Sequence, residues 1–172
     1  MKEARTIQSY CLATPAGRVR IELSDHGLCS LTLPRGRARR RSKGATALDA
    51  LLRRLQRDLR DYFEGKPVEF RYPLDLTGAT PFQRAVWRTL RRIPYGQTRS
   101  YAQVARAVGR PQAYRAVGTA CGHNPLPLLI PCHRAVASNG KMGGFSSGLR
   151  WKKHLLSLEA AGTEETADVQ PE

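Results

Sequence analysis

Cys132 and His133 are adjacent in the run Leu129-Ile130-Pro131-Cys132-His133-Arg134, which sets a thiol beside an imidazole after a short apolar stretch. A thiol reacts as its thiolate, so a working cysteine needs a group that lowers its pKa or removes its proton, and histidine is the usual one. Successive side chains of an extended segment point to opposite sides. On that geometry His133 reaches the sulfur only through a bridging water or a local bend. The same pair also fits a buried cysteine beside a core histidine, because free cysteine is commonly buried and inert. The flanks weigh toward chemistry. Leu128 to Ile130 read as a short buried strand, Pro131 constrains the backbone before the thiol, and Asn124-Pro125 with Pro127 stiffen the approach. A strand end of that kind holds a side chain rigidly.

The chain that must position this pair has 172 residues, enough for one or two small domains with a real core. It carries 29 Lys and Arg against 14 Asp and Glu, a formal net charge of +15. Five of those fourteen acids (Glu159, Glu164, Glu165, Asp168 and Glu172) fall in the last fourteen residues, which contain no Lys or Arg. The body through Leu158 therefore sets 29 basic residues against nine acidic ones, a charge of +20. Such a charge implies a polyanionic partner, nucleic acid in the first place, bound with a steep salt dependence. No apolar run approaches the roughly 18 residues of a membrane span, and the amino terminus has no apolar signal core. The expectation is an intracellular protein with no membrane partner: cytoplasmic, nucleoid-associated in a bacterium or nuclear in a eukaryote. In that setting Cys11, Cys29, Cys121 and Cys132 are reduced rather than paired as disulfides.

Ile7 to Leu12, Val19 to Leu23 and Leu28 to Leu33 are separated by Pro15-Ala16-Gly17 and Asp25-His26-Gly27, which predicts a three-stranded antiparallel meander. Pro34 to Gly44 breaks the pattern with an Arg-rich loop, a solvated segment as readily as a phosphate contact or a nuclear address. From Thr46, leucines 48, 51, 52, 55 and 59 with Tyr62 and Phe63 recur at helical steps, with Thr46 and Asp49 as cap and Gly65 as stop. Arg53, Arg54, Arg57 and Arg60 lie off that stripe, on a solvated face. Val68, Phe70 and Tyr72 alternate as one more short strand. Asp75 to Thr80 reads as the link to a second domain.

Thr80-Pro81 opens a helix with a cap residue and a proline at its first position. Its apolar face is Phe82, Ala85, Val86, Leu90 and Ile93, with Trp87 beside it in the core. After the turn Pro94-Tyr95-Gly96-Gln97, Ser100 and Gln103 form a capping box for Tyr101 to Val108, which stops at Gly109. A second short helix begins near Gln112 and runs toward Gly122. Two short helices about a tight Gly-containing turn make a helix-turn-helix or simple helical packing, and the net charge favours nucleic-acid binding. The second helix exposes Ala113, Ala116, Gly118, Thr119 and Ala120 about one long cation, Arg115. That is too small a set for a major-groove reader, and it suits the minor groove, which is only about 6 Å wide.

With Arg115-Ala116-Val117-Gly118, Gly122-His123-Asn124-Pro125 and Pro131-Cys132-His133-Arg134 in this order, the stretch from about Thr80 to Glu159 resembles the methylated-DNA–protein-cysteine methyltransferases, which repair alkylated guanine. The fold class is then α+β: an amino-terminal antiparallel sheet with a helix over residues 1–77, ribonuclease H-like by resemblance, and a mostly helical domain over 78–162 containing the helix-turn-helix. An acidic, disordered tail over 163–172 would follow. The resemblance implies a monomer on double-stranded DNA bearing O6-alkylguanine, and extends to O4-alkylthymine as an open possibility. It implies entry of the second helix, with Tyr114, Arg115, Ala116, Gly118 and Thr119, into the minor groove, and Arg115 filling the place of a flipped nucleotide. A lesion on the guanine edge lies inside the duplex, so a sulfur reaches it only after base flipping.

By the same resemblance, Glu159 orients His133, His133 draws the proton of Cys132 through a water, and Tyr101 helps rotate the phosphate and hydrogen-bonds the extruded base. Asn124 ties the Cys loop to the helix-turn-helix, while Pro131, Arg134 and Ser146 complete the pocket and its supports. Where the family usually carries Tyr, this chain has Phe145, an apolar wall without a hydroxyl. The polar loop of Ser138, Asn139, Gly140, Gly143, Gly144, Ser146, Ser147 and Gly148 suits wrapping a ligand, and a closing helix over Leu149 to Ala161 carries Glu159. A thioether is a very poor leaving group, so the implied reaction consumes one protein molecule per lesion. The alternatives are a non-enzymatic lesion-recognition protein, which would lack the acceptor cysteine, a helix-turn-helix regulator, and a Cys-His hydrolase, which would turn over. Cys11, His26 and Cys29 lack the paired spacing of a zinc site, and no phosphate-cradling Gly loop occurs, so neither metal nor organic cofactor is expected.

Overall fold

The computed structural model describes residues 6–34, 50–138 and 142–167. Three strands, β1 (Ile7–Thr14), β2 (Gly17–Ser24) and β3 (Gly27–Thr32), form an antiparallel sheet in the order β1-β2-β3. The register runs from Ile7 opposite Ser24 to Thr14 opposite Gly17, and β2 shifts by a bulge at Glu22/Leu23 before pairing with β3. Leu12, Val19, Ile21, Leu28 and Leu31 all point into the core. α1 (Ala50–Phe63) covers that face with Leu52, Leu55, Leu59, Tyr62 and Phe63, leaving Arg53, Arg54, Arg57 and Arg60 in solvent. The expected cap at Thr46 and Asp49, and the Arg-rich loop beyond Pro34, lie outside the described residues.

Val68 to Tyr72 is not a strand. Phe70 and Tyr72 are buried and Glu69 and Arg71 exposed, so the alternation holds, but Pro67 and Pro73 bracket the segment and no ladder forms. The chain meets the sheet just beyond it: Leu28 N–H donates to Pro73 O at 3.0 Å and Asp75 N–H to Leu28 O at 2.8 Å. Only glycine fits beside this crossing, because at Gly27 (φ 132°) a Cβ would lie 2.5 Å from Pro73 O.

The remaining chain is helical. α2 (Pro81–Leu90) opens with a reciprocal Thr80/Gln83 capping box and Pro81 in its first turn. A two-residue strand, β4 (Arg99–Ser100), leads into α3 (Tyr101–Ala107), capped by Ser100 and Gln103, with Gly109 at φ 74° beyond its end. α4 (Tyr114–Gly122) starts two residues later than the pattern indicates, and Ala113 at its cap makes no side-chain hydrogen bond. The Trp87 indole donates to Ala120 O at 2.9 Å and joins α2 to the inner side of α4.

Leu128 to Ile130 is buried as expected, yet it belongs to a turn and not to a strand. Ile130 N–H bonds back to Leu126 O at 2.9 Å, and Leu128 takes a left-handed φ of 75°. An apolar run of this length does not by itself separate turn from strand. Beyond a 3₁₀ turn at Cys132–Arg134, β5 (Ala135–Val136) pairs in parallel with β4, a contact the pattern does not reveal. α5 (Leu149–Ala167) passes the expected stop at Ala161 and runs into the first residues of the acidic tail. Its buried stripe is Lys152, Leu155, Glu159 and Gly162. At Gly162 the helix lies so close to the end of α1 that a Cβ would stand 2.1 Å from Gly65 O.

Candidate active site

Pro131 (ψ 65°) turns the chain into the 3₁₀ turn, whose threefold geometry sends successive side chains about 120° apart. Cys132 and His133 therefore diverge. Cys132 is 1% exposed and points at Asn124, whose Nδ2 donates to Sγ at 3.0 Å and to Ile130 O at 2.8 Å. Asn124 Oδ1 accepts from Leu126 N at 3.0 Å, so one amide clamps the turn, the sulfur and the segment after α4. Burial pushes the Cys132 thiol up to about 11, against the pull of the Asn124 hydrogen bond and the Lys152 charge. At neutral pH the resting sulfur is a thiol.

His133 is fully buried, with Nε2 at 2.7 Å from Glu159 Oε1. Burial pulls its pKa below the ordinary imidazole range, against the attraction of Glu159, and Arg134 and Lys152 pull it further down. The ring is neutral at pH 7. A carboxylate only accepts, so Nε2 carries the proton and Nδ1 keeps its lone pair. Nδ1 has no hydrogen-bond partner among the described protein atoms.

Glu159 is 1% exposed and saturated with donors. Besides His133 it accepts from Tyr62 Oη at 2.7 Å, Gly96 N at 3.0 Å, Arg134 Nε at 2.9 Å and Arg134 Nη2 at 2.8 Å. Burial alone would raise its pKa, but the hydrogen bonds from His133 and Arg134 and the Arg134 charge hold it at about 2. Arg134 is itself fixed, with Nη1 donating to Ile93 O at 2.6 Å.

On the other side of the turn Lys152, without exposed surface, donates from Nζ to Ala135 O at 2.7 Å, to Tyr101 Oη at 3.2 Å and to Gly144 O at 3.5 Å. Burial lowers its pKa, and burial with the neighbouring thiols of Cys121 and Cys132 pushes the Tyr101 phenol up to about 12. The segment Met142–Gly148 closes over these groups. A Cβ at Gly143 (φ 59°) would meet Tyr101 Oη at 2.5 Å, and the Phe145 ring stands edge-on to His133, 6.4 Å between centroids. Ser146 is exposed and lines a cavity of about 210 Å³ with Asn124, Pro125 and Pro127. Asn139 to Lys141 lie outside the described residues.

The outward face of α4 holds Tyr114 at 44% exposure with exposed Arg115, Ala116 and Thr119. The Arg115 guanidinium lies 5.9 Å from the Tyr114 ring centroid, and open space surrounds Gly118. Among the described residues no three His, Cys, Asp or Glu side chains form a metal cage, and all four cysteines are free thiols.

Two groups of this site escape sequence reasoning. Lys152 falls on the buried stripe of α5, three residues before Leu155 and seven before Glu159, and a cation in such a stripe is the available signal. Tyr62 reads as one more member of the apolar face of α1, and nothing local marks its hydroxyl.

A three-stranded sheet with one covering helix, followed by a helical unit that holds a buried thiol, imidazole and carboxylate around one turn, defines a two-part α+β protein built for cysteine chemistry. Comparison with known proteins gives the family. Residues 9–76 match the pattern described as "6-O-methylguanine DNA methyltransferase, ribonuclease-like domain", and residues 81–161 match "6-O-methylguanine DNA methyltransferase, DNA binding domain". The chain belongs to the 6-O-methylguanine DNA methyltransferase family. It is 52% identical over 98 residues to a methylated-DNA–protein-cysteine methyltransferase of Mycolicibacterium paratuberculosis, an alignment covering 57% of this chain and 59% of the relative. With the enzyme of that name from Methanosarcina acetivorans it shares 43% over 113 residues, 66% of this chain and 72% of the relative. The chain thus spans about three fifths of the length of the mycobacterial relative that it matches. Among solved structures, OGT of Mycobacterium tuberculosis in complex with DNA superimposes with a TM-score of 0.71 at 37% identity, covering 88% of this chain and 92% of that one. The O6-methylguanine methyltransferase of the same organism gives 0.69 at 34%, covering 91% and 94%.

Proposed function

We propose that this chain repairs DNA by moving the alkyl group of O6-alkylguanine irreversibly onto Cys132. The observation that carries this reading is the pairing of Glu159 with His133 Nε2, which leaves the opposite ring nitrogen as a base beside the turn that holds the thiol. A water relays the Cys132 proton to His133 Nδ1. The sulfur then attacks the alkyl carbon in line, the S–C bond forms as the C–O6 bond breaks, and the guanine departs with the electron pair. Glu159 and Arg134 hold the relay throughout, so the base needs no reorientation when it becomes charged.

Tyr101, with the Lys152 ammonium at 3.2 Å, is the hydroxyl placed to donate to the leaving guanine as negative charge develops on it. Asn124 presents the sulfur, and Phe145 forms the apolar wall beside His133. Cys132 is 1% exposed, so the base enters by displacing the segment Met142–Gly148, with Ser146 among its new contacts. The small outward face of α4 enters the minor groove, and Arg115 occupies the gap that the flipped nucleotide leaves. The protein acts as a monomer in the cytoplasm, where its four thiols stay reduced. Its proposed working units are residues 1–77 and 78–162, the second carried on to Ala167 by α5. The test is intact mass after incubation with an oligonucleotide containing one O6-methylguanine. One added methylene per protein, mapped to Cys132, is expected. Repair of many lesions per molecule, or an unmodified Cys132, would refute the reading.

A further inference from the structure

The groups assigned so far to proton removal lie within the helical half of the chain, but one hydroxyl reaches them from the other half. Tyr62, on α1 and 71 residues before His133, is fully buried with its Oη at 2.7 Å from Glu159 Oε1 and 3.3 Å from His133 Nε2. Ring contacts to Phe63, Phe70 and Tyr95, with centroids 5.6, 5.6 and 5.9 Å away, fix the phenol in place. A buried phenol needs an acceptor, and satisfying that need would be reason enough for a bond to some carboxylate oxygen. The acceptor here is the oxygen that also takes the His133 Nε2 proton, together with Arg134 Nη2. Donors that share one oxygen compete for its electron density. The hydroxyl therefore acts on the imidazole through the carboxylate.

We propose that Tyr62 is a positioning residue of the acceptor site: by sharing Glu159 Oε1 with His133, it limits the carboxylate's hold on the imidazole, keeps Nδ1 unprotonated and available near neutral pH, and makes the amino-terminal half a tuner of the base. The proposal rests on the reading of His133 as the base for Cys132. The titratable and charged groups facing His133 are Glu159 and Lys152 from α5, Arg134 and Cys132 from its own turn, Tyr62 from α1 and, beyond Tyr62, Tyr95 from the loop after α2. Among them Tyr62 is a neutral group whose hydroxyl can be removed or strengthened with little change of shape.

The sign of each change is fixed. Tyr62→Phe removes a donor from Oε1, leaves more negative charge for an imidazolium, and raises the affinity of His133 for a proton. Since only the neutral ring can accept the Cys132 proton, the acid limb of the transfer rate moves to higher pH. A 3-fluorotyrosine at position 62 donates more strongly and moves the limb the other way. The measurement is the single-turnover transfer rate from a free O6-alkylguanine base, between about pH 5 and 8, for the wild type and both variants. The expected result is a limb displaced upward by about 0.5–1 pH unit in the Phe variant and downward in the fluorotyrosine protein. An unmoved limb in all three, with only the melting temperature of the Phe variant lowered, would reduce Tyr62 to a packing residue and overturn the proposal. If the Phe variant fails to fold, the fluorotyrosine protein decides, since it keeps the hydroxyl and the ring. A wild type that takes up no alkyl group defeats the repair reading itself, whereas a reactive wild type with unmoved limbs defeats the role of Tyr62 alone.

Discussion

On α4, Tyr114, Arg115, Ala116 and Thr119 project into solvent, whereas Glu159 is 1% exposed and takes hydrogen bonds from four residues on three separate stretches of chain. The first region has spent little of its bonding capacity on the fold, so its side chains remain free to meet another molecule. The second region has committed nearly all of it, and its groups hold one geometry before any substrate arrives. Changes on α4 should therefore alter binding and spare stability. Changes around Glu159 should alter both at once.

The largest expected effect falls on neither pattern and isolates the chemistry. Cys132→Ala should abolish alkyl transfer, with affinity for alkylated DNA unchanged within about twofold and with stability lowered by no more than about 1 kcal/mol, since little volume is removed. Labelled alkyl groups recovered on that variant would show that another residue is the acceptor. Next comes Glu159→Ala, which strands the buried Arg134 and His133 and should cost about 3–5 kcal/mol, read by denaturant unfolding. The same carboxyl sets an acid limit. Its ordinary value of 4.5 is depressed to about 2 in the folded protein, so its contribution is fully present above about pH 4.5 and is lost as the pH falls toward 2. That loss is up to about 3 kcal/mol, and Glu159→Ala should remove this part of the acid dependence. If the variant unfolds with the same pH profile as the wild type, Glu159 is not the carboxyl on which the buried end of the site depends.

Smaller in stability, and confined to binding, is Arg115→Ala. Repair of a lesion in duplex DNA should slow about 10–100-fold, corresponding to about 1–3 kcal/mol, while transfer from the free alkylated base and the melting temperature stay as they are. Equal slowing on both substrates would place Arg115 in the acceptor pocket rather than in the stack.

Local rules made much of the frame legible. The turn residues separating the β-strands, the Thr80 cap, the Ser100 capping box and the leucine stripe of α1 each act within a few residues, and the structure has them where the pattern puts them. Strand assignment failed twice for one reason. Val68–Tyr72 and Leu128–Ile130 have strand-like patterns, but a strand also needs a free edge to pair with, and prolines and the Leu128 turn deny them one. At the site, Cys132 and His133 announce themselves by adjacency. Glu159 enters sequence reasoning only through resemblance, and Tyr62 not at all, because a hydrogen bond across 97 residues leaves no trace in either neighbourhood.

The buried stripe of α5 has a mechanical consequence. Lys152 holds Tyr101 at one end of the site, Glu159 receives Tyr62 and His133 at the other, and the seven-residue step from one to the other amounts to two turns of helix, about 10 Å along the axis. The helix is thus a ruler that sets the gap between the two phenols. One inserted residue would swing everything beyond it by about 100° and throw the two ends out of phase, so this segment can change its surface freely but not its count.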